Sequence, residues 1–187
     1  IDVTGSDEPS DCIDCPAGKY LELPGNDELA DCIDCMAGKY VEVTGSDLET
    51  DCIQCALGKF AAVVGSSSET DCDDCPAGYY IHVTGSDQHE DCIACALGKY
   101  STIEGSAMEA DCIGCTAGTY VDVVGSDSLT DCIGCVAGQY QGATGSASCI
   151  ACAVGQFSSD ATGLAFCTDC SAGTYQDQTS QSSCHAC

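Results

Sequence analysis

The chain has 187 residues, of which 20 are Cys, none is Trp and only three are Phe. Four Lys face 30 Asp and Glu, so the formal net charge is −26. Recognition of a phosphate backbone needs clustered Lys and Arg, as does adhesion to anionic lipid, so this balance excludes nucleic acid and acidic membrane as partners. The longest apolar runs, Phe60 to Val64 among them, fall far short of the ~20 residues of a membrane span, so this segment is expected to insert in no membrane.

Taken in order, the chain opens on IDVTGSDEPSD, which aligns with VEVTGSDLETD at Val41 to Asp51. Ile1 therefore enters in mid-repeat, and the sequence is expected to belong to a longer or processed chain. CxxC pairs then begin at Cys12, Cys32, Cys52, Cys72, Cys92, Cys112 and Cys132, a strict period of 20. The last three begin at Cys149, Cys167 and Cys184, where the period shortens to 17 or 18.

Every unit carries the same parts. A Gly follows the second Cys by three, from Gly18 to Gly173, and an aromatic follows two later, from Tyr20 to Tyr175. In the long units an alternating stretch comes next, as in Leu21-Glu22-Leu23 and Val41-Glu42-Val43. Alternation of period two predicts a short half-buried strand. A Gly, followed by Ser or Asn, then turns the chain at Gly5, Gly25, Gly45, Gly65, Gly85, Gly105, Gly125 and Gly145. Gly serves there because it accepts positive φ. A polar return leads to Asp-Cys-Ile, a second short strand. No segment carries a helical period.

The predicted fold is small, disulfide-rich and mostly irregular β, with tandem hairpin repeats of about 20 residues stacked into an elongated rod. Elongation would also spread the charge, which a compact body would concentrate. A composition boundary falls near residue 140. Residues 1–140 hold 27 of the 30 acidic residues and all four Lys, while residues 141–187 hold Asp160, Asp169 and Asp177. We read one array with an acidic section, 1–140, and a near-neutral section of shorter repeats, 141–187.

A Cys content of 20 in 187 exceeds the ~8–10% that marks a disulfide scaffold. Bridges persist in oxidising compartments, so the expected location is extracellular or at the cell surface. Three pairing schemes are open. In the first, the second Cys of one unit joins the first Cys of the next: Cys15–Cys32, Cys35–Cys52, Cys55–Cys72, Cys75–Cys92, Cys95–Cys112, Cys115–Cys132, Cys135–Cys149, Cys152–Cys167 and Cys170–Cys184. This leaves Cys12 and Cys187 for terminal or inter-subunit bridges. In the second, each CxxC closes on itself, as in redox enzymes, here without a thioredoxin-like βαβ context. In the third, pairs of CxxC knuckles hold zinc with four thiolates. Uniform period, scarcity of cations and accumulating thiolate charge all count against zinc.

The pattern CxxCxxGxY, a spacer, then CxxC stands as CIDCPAGKY at Cys12 to Tyr20 and as CTDCSAGTYQDQTSQSSCHAC at Cys167 to Cys187. It resembles the cysteine-rich ephrin-receptor-like repeat and is similar to the first module of tumour-necrosis-factor-receptor cysteine-rich domains. The resemblance covers the whole chain. It implies the first pairing scheme, and it implies a stalk, spacer or adhesive surface.

Acidic residues gather around turn and CxxC, at Asp7 and Asp11, Asp27 and Asp31, Asp47 and Asp51, Asp87 and Asp91, and Asp127 and Asp131. Calcium takes several such oxygens, so these are the candidate cation ligands; a solvated acidic face is the plainer reading. No EF-hand loop occurs, and no cofactor is required. Asn26, the only Asn, precedes Asp-Glu, which excludes N-glycosylation. Thr4, Ser6, Thr44, Ser46, Thr84 and Ser86 stand at turns and are the candidate O-glycan acceptors, on the ground of expected exposure. His82, His89 and His185 are scattered, and no catalytic motif appears.

These features point away from an enzyme and towards a structural subunit or segment of an extracellular filament. Its partner would be itself, head-to-tail or laterally, with other extracellular proteins or glycans as further partners. A receptor or adhesin stalk is the alternative, and a zinc-binding CxxC array stands behind both.

Overall fold

The structure is a computed structural model that describes residues 14–22, 29–159 and 162–187. The chain divides into two compact units. One comprises Ile1–Cys75, Tyr80–Ile93 and Gly105–Met108; the other comprises Pro76–Tyr79, Ala94–Glu104 and Glu109–Cys187.

The repeating element is a minimal hairpin of two-residue strands, and nine such two-stranded sheets recur along the described residues. In the first, Lys19 pairs with Asp34 and Tyr20 with Ile33, antiparallel. Lys39–Tyr40 pairs with Ile53–Gln54 in the same register, and so does Thr174–Tyr175 with His185–Ala186. Each hairpin starts from a tight turn in which the Lys19 N–H donates to the Pro16 carbonyl at 3.1 Å. Gly18 occupies the third position of that turn with φ +88°, a value that a four-residue turn of this kind demands and that an L side chain resists. The far side of the hairpin is tied back by the Cys35 N–H, which donates to the Gly18 carbonyl at 2.9 Å.

The strand lies on the aromatic rather than on the alternating stretch after it. Val41 is 2% exposed and Val43 is 62% exposed, so the alternation is real in burial, but no ladder runs through it. The polar return holds a 3₁₀ turn that periodicity did not reveal, as at Glu49–Asp51 and Leu129–Asp131. Three residues are too short for a periodic signal. Among the described residues, the three hairpins after residue 138 enclose no such turn. The shortened period therefore has a structural meaning: the deleted residues are the 3₁₀ turn. In two of the three a buried Gln spans the loop instead. Gln141 donates through Nε2 to the Ser148 carbonyl at 2.7 Å and accepts the Ala143 N–H, and Gln176 does the same with Ser183 and Gln178.

The core is a series of small sites, each formed by cystine sulfur and the residue after the aromatic. Cys35, Cys55, Cys75, Cys95, Cys115 and Cys152 are fully buried, with Val41, Ala61, Ile81 and Val121 beside them.

Candidate functional site: the repeat junction

Nine disulfides join the second Cys of one CxxC to the first Cys of the next, from Cys15–Cys32 through Cys75–Cys92 to Cys170–Cys184. The loops close 17 residues apart in the long repeats and 14 or 15 apart in the short ones. This is the geometry of the first scheme, with Cα atoms 5.6 to 5.8 Å apart, inside the range that an unstrained bridge allows. Cys187 is exposed and unbridged, and Cys12 lies outside the described residues.

Adjacent repeats meet through three main-chain hydrogen bonds. At the first junction the Gly18 N–H donates to the Val41 carbonyl at 2.8 Å, the Leu21 N–H to the Ser46 carbonyl at 3.1 Å, and the Gly45 N–H to the Cys15 carbonyl at 2.8 Å. The same triplet recurs at eight successive junctions. The last comprises Gly155 to Gln176, Ser158 to Gln181, and Ser180 to Cys152. Short parallel bridges such as Tyr20 to Ser46 and Tyr80 to Ser106 record the same contact.

A second layer of contact reaches two repeats on. A Cβ placed on Gly18 would fall on the Gly65 carbonyl, one on Gly78 on the Gly125 carbonyl, and one on Gly138 on the Ser180 carbonyl. The Gly of CxxCxxG is thus a platform as well as a turn residue. This arrangement departs from a simple solenoid, in which each unit touches only its neighbours.

The junction explains the turn serines, whose role the sequence did not disclose. Ser46, Ser66, Ser86, Ser106 and Ser126 are all buried. For Ser46 and Ser86 this corrects the expectation of O-linked sugar: each is 6% exposed because its turn is pressed against the preceding repeat. Thr44 and Thr84 are exposed, and Thr84 Oγ1 lies 2.6 Å from Gln54 Oε1. Thr4 and Ser6 lie outside the described residues. The one signal available beforehand was the recurrence of Gly-Ser at a fixed place in each repeat.

Of the proposed cation ligands, Asp7, Asp11 and Asp27 lie outside the described residues. At Asp51, Asp71, Asp91 and Asp131 the Asp before the first Cys caps the 3₁₀ turn. Asp51 Oδ2 accepts the N–H groups of Asp47 and Leu48, each at 3.2 Å, and Asp91 accepts those of Asp87 and Gln88. Asp131 accepts from Ser128, while Asp31 ends the 3₁₀ turn Leu29–Asp31. Among the described residues no three His, Cys, Asp or Glu side chains converge as a metal site, and Asp127 joins no such group.

The four lysines are engaged within their own loops. Lys19 and Lys59 pair with Asp34 and Asp74, their cross-strand partners, at 2.7 and 2.8 Å. Opposite Lys39 and Lys99 stand Gln54 and Gly114, so these two reach Glu49 and Glu109 instead. Burial, followed by the charges of Glu49 and Glu22, pushes the Tyr20 phenol above its ordinary pKa, against a smaller opposing effect of Lys39. Burial and the charges of Glu69 and Glu42 push Tyr40 the same way.

The fold and the junction define a class: a disulfide-stapled array of small extracellular-type modules, held together through main-chain contacts between repeats. The family model described as tyrosine-protein kinase ephrin type A/B receptor-like matches residues 23–72, 118–163 and 155–187. The chain belongs to this ephrin-receptor-like family of cysteine-rich receptor modules. No curated protein matches it. Among the described residues no helix is long and apolar enough to cross a membrane.

Proposed function

We propose that the chain is a structural segment of an extracellular fibre, built to extend and to space rather than to catalyse. The observation that carries this reading is the junction, in which the same three main-chain bonds recur eight times. Such bonds ignore most side chains, so repeats of differing sequence fit one another interchangeably. Each is worth roughly 0.5–1.5 kcal/mol net, and the cystine beside it holds the donor and acceptor in place. An assembly made by repetition alone uses this property; a unique binding site would need one repeat to differ chemically from the rest.

The family match favours a second reading, the stalk or spacer of a cell-surface receptor or adhesin. Sedimentation velocity over a concentration series, with negative-stain microscopy of the same samples, separates the two. Concentration-dependent growth into filaments supports the fibre. A species that remains monomeric throughout supports the stalk and removes the fibre.

A further inference from the structure

One loop in the middle of the array differs chemically from the others. The second strand of a hairpin opens on Ile at Ile33, Ile53, Ile93, Ile113, Ile133 and Ile150, but on Asp73 in the hairpin of Lys59–Phe60 and Asp73–Asp74. Asp73 is exposed, and its carboxylate has no hydrogen-bond or ion-pair partner among the described residues. Lys59 pairs with the neighbouring Asp74 instead, at 2.8 Å. Beside Asp73 the loop forms a groove of about 410 Å³, lined by Val63 and Val64 from the outgoing arm and by Thr70, Asp71 and Asp73 from the return. Ligand sites span roughly 300–1,000 Å³, so the groove is large enough for one side chain. Its apolar wall is open to solvent, with Val63 70% and Val64 57% exposed. Both arms are held in place by the fold. Cys55–Cys72 closes the loop, the Gly65 N–H donates to the Cys35 carbonyl at 2.8 Å, and Ser66 Oγ donates to the Val63 carbonyl at 3.2 Å. Asp71 Oδ2 accepts the Ser67 and Ser68 N–H groups, while Asp71 Oδ1 accepts no hydrogen bond among the described residues.

We propose that this groove binds a Lys or Arg side chain of a basic partner protein. Those two side chains join a methylene stem to a cationic head, and the groove joins an apolar wall to free carboxylate oxygens. The stem lies on Val63 and Val64, and the head reaches Asp73 and Asp71 Oδ1. Charge complementarity selects the occupant. An apolar or anionic group seated there would cover the Asp73 carboxylate without pairing it, which is costly, and a net charge of −26 draws cations towards the chain. The other carboxylate against this turn, Asp34 beside Gly65, is already paired with Lys19. A second copy of the chain does not fit the role. The sequence has no Arg, and its four Lys are all ion-paired within their own loops. Arms fixed in advance lower the ordering cost of binding. The molecule also contains its own comparison. Val123, Val124, Gly125, Ser126, Thr130 and Asp131 repeat the groove's residues at the corresponding places, but Ile133 stands where this loop has Asp73. The inference is independent of the fibre reading, because it needs only this one loop.

Titration of the whole chain with acetyl-hexalysine amide, followed by amide NMR, tests the proposal. Sodium chloride at about 0.15 M shortens the Debye length to ~8 Å and suppresses diffuse attraction. The expected result is a saturating shift of the Val63, Val64, Thr70 and Asp73 amides, with the Val123, Val124, Thr130 and Ile133 amides left in place. Asp73→Ile installs the residue that six other hairpins carry at this position, and Asp73→Asn removes the charge while keeping the shape. Each should weaken binding at this loop by about tenfold or more, although each changes the net charge by a single unit. Amide shifts outside the loop report that both variants keep the fold. Equal movement of the two loops in the parent, or binding at Val63 and Val64 that ignores both variants, would mean that the peptide is held by diffuse charge and overturns the groove. Absence of any saturating shift at this loop overturns it as well, and the fibre reading stands or falls separately on sedimentation.

Discussion

Glycine decides more at the level of single residues than any charged group. Gly78 has φ +85°, and a methyl group on it would strike the Gly125 carbonyl. Gly173 has the same φ and open space around it. Gly78→Ala should therefore carry the conformational cost of roughly 1–2 kcal/mol and an overpacking cost of about 1–3 kcal/mol. Gly173→Ala should carry only the first, and paired thermal melts of the two variants measure the difference. Tyrosine supplies a pH limit. Tyr20 and Tyr40 have raised phenol pKa values in the fold. The unfolded chain releases these protons first, near the ordinary pKa of about 10, so it binds fewer protons than the native state above that pH. Stability is then complete below about pH 10 and falls as pH rises towards the native values. Phenolate absorbance should show these two rings ionising above the ordinary phenol range, with the melting temperature dropping over the same interval.

Within an element, the cap and the cystine have separable roles. Asp71 Oδ2 accepts the Ser67 N–H at 2.7 Å and the Ser68 N–H at 3.0 Å, which orders the start of the 3₁₀ turn Glu69–Asp71. Asp71→Ala should cost about 0.5–2 kcal/mol, read by denaturant melts, with the hairpin retained. Removing the Cys75–Cys92 bridge as a Ser/Ser pair releases a loop of 17 residues and should cost about 2–4 kcal/mol. That loss should spread further than the cap's, because Gly105 donates to the Cys75 carbonyl from the next repeat. Amide exchange should show added opening around Gly105 in the cystine variant and none there in Asp71→Ala. The salt bridges matter less. Lys19–Asp34 and its counterparts are partly exposed, and pairs of that kind contribute about 0–1 kcal/mol.

For the whole molecule, charge and coupling between repeats govern behaviour. A net charge of −26 destabilises any folded state through self-repulsion, and salt screens it over a Debye length of ~10 Å at 0.1 M. Raising sodium chloride should raise the melting temperature. Because the capping carboxylates are engaged by backbone N–H groups, calcium chloride at matched ionic strength should give the same rise. A larger rise with calcium would instead place the ion among the Asp47, Asp51, Asp87 and Asp91 carboxylates. Contact with the second repeat along makes folding of one repeat depend on two others. Unfolding should accordingly be more cooperative than in an array coupled only between neighbours.

Much of this architecture is written in the sequence because the repeat is its own alignment. CxxC at fixed spacing, the Gly three residues on and the aromatic after it predicted a hairpin per repeat, and Tyr20 pairs with Ile33 in such a hairpin. Short-range chemistry of this kind is legible: positive φ demands Gly, and a residue opposite its partner across a turn lies close in sequence. What the tertiary structure alone decided lies between 20 and 50 residues away in the chain. Ser46 and Ser86 read as surface turn residues but are buried, since their turns press on the preceding repeat. Gly18 read as a turn residue but also meets the Gly65 carbonyl two repeats on. In each case the partner is a main-chain atom, and main-chain atoms are the same at every position, so no pattern of side chains could have named them.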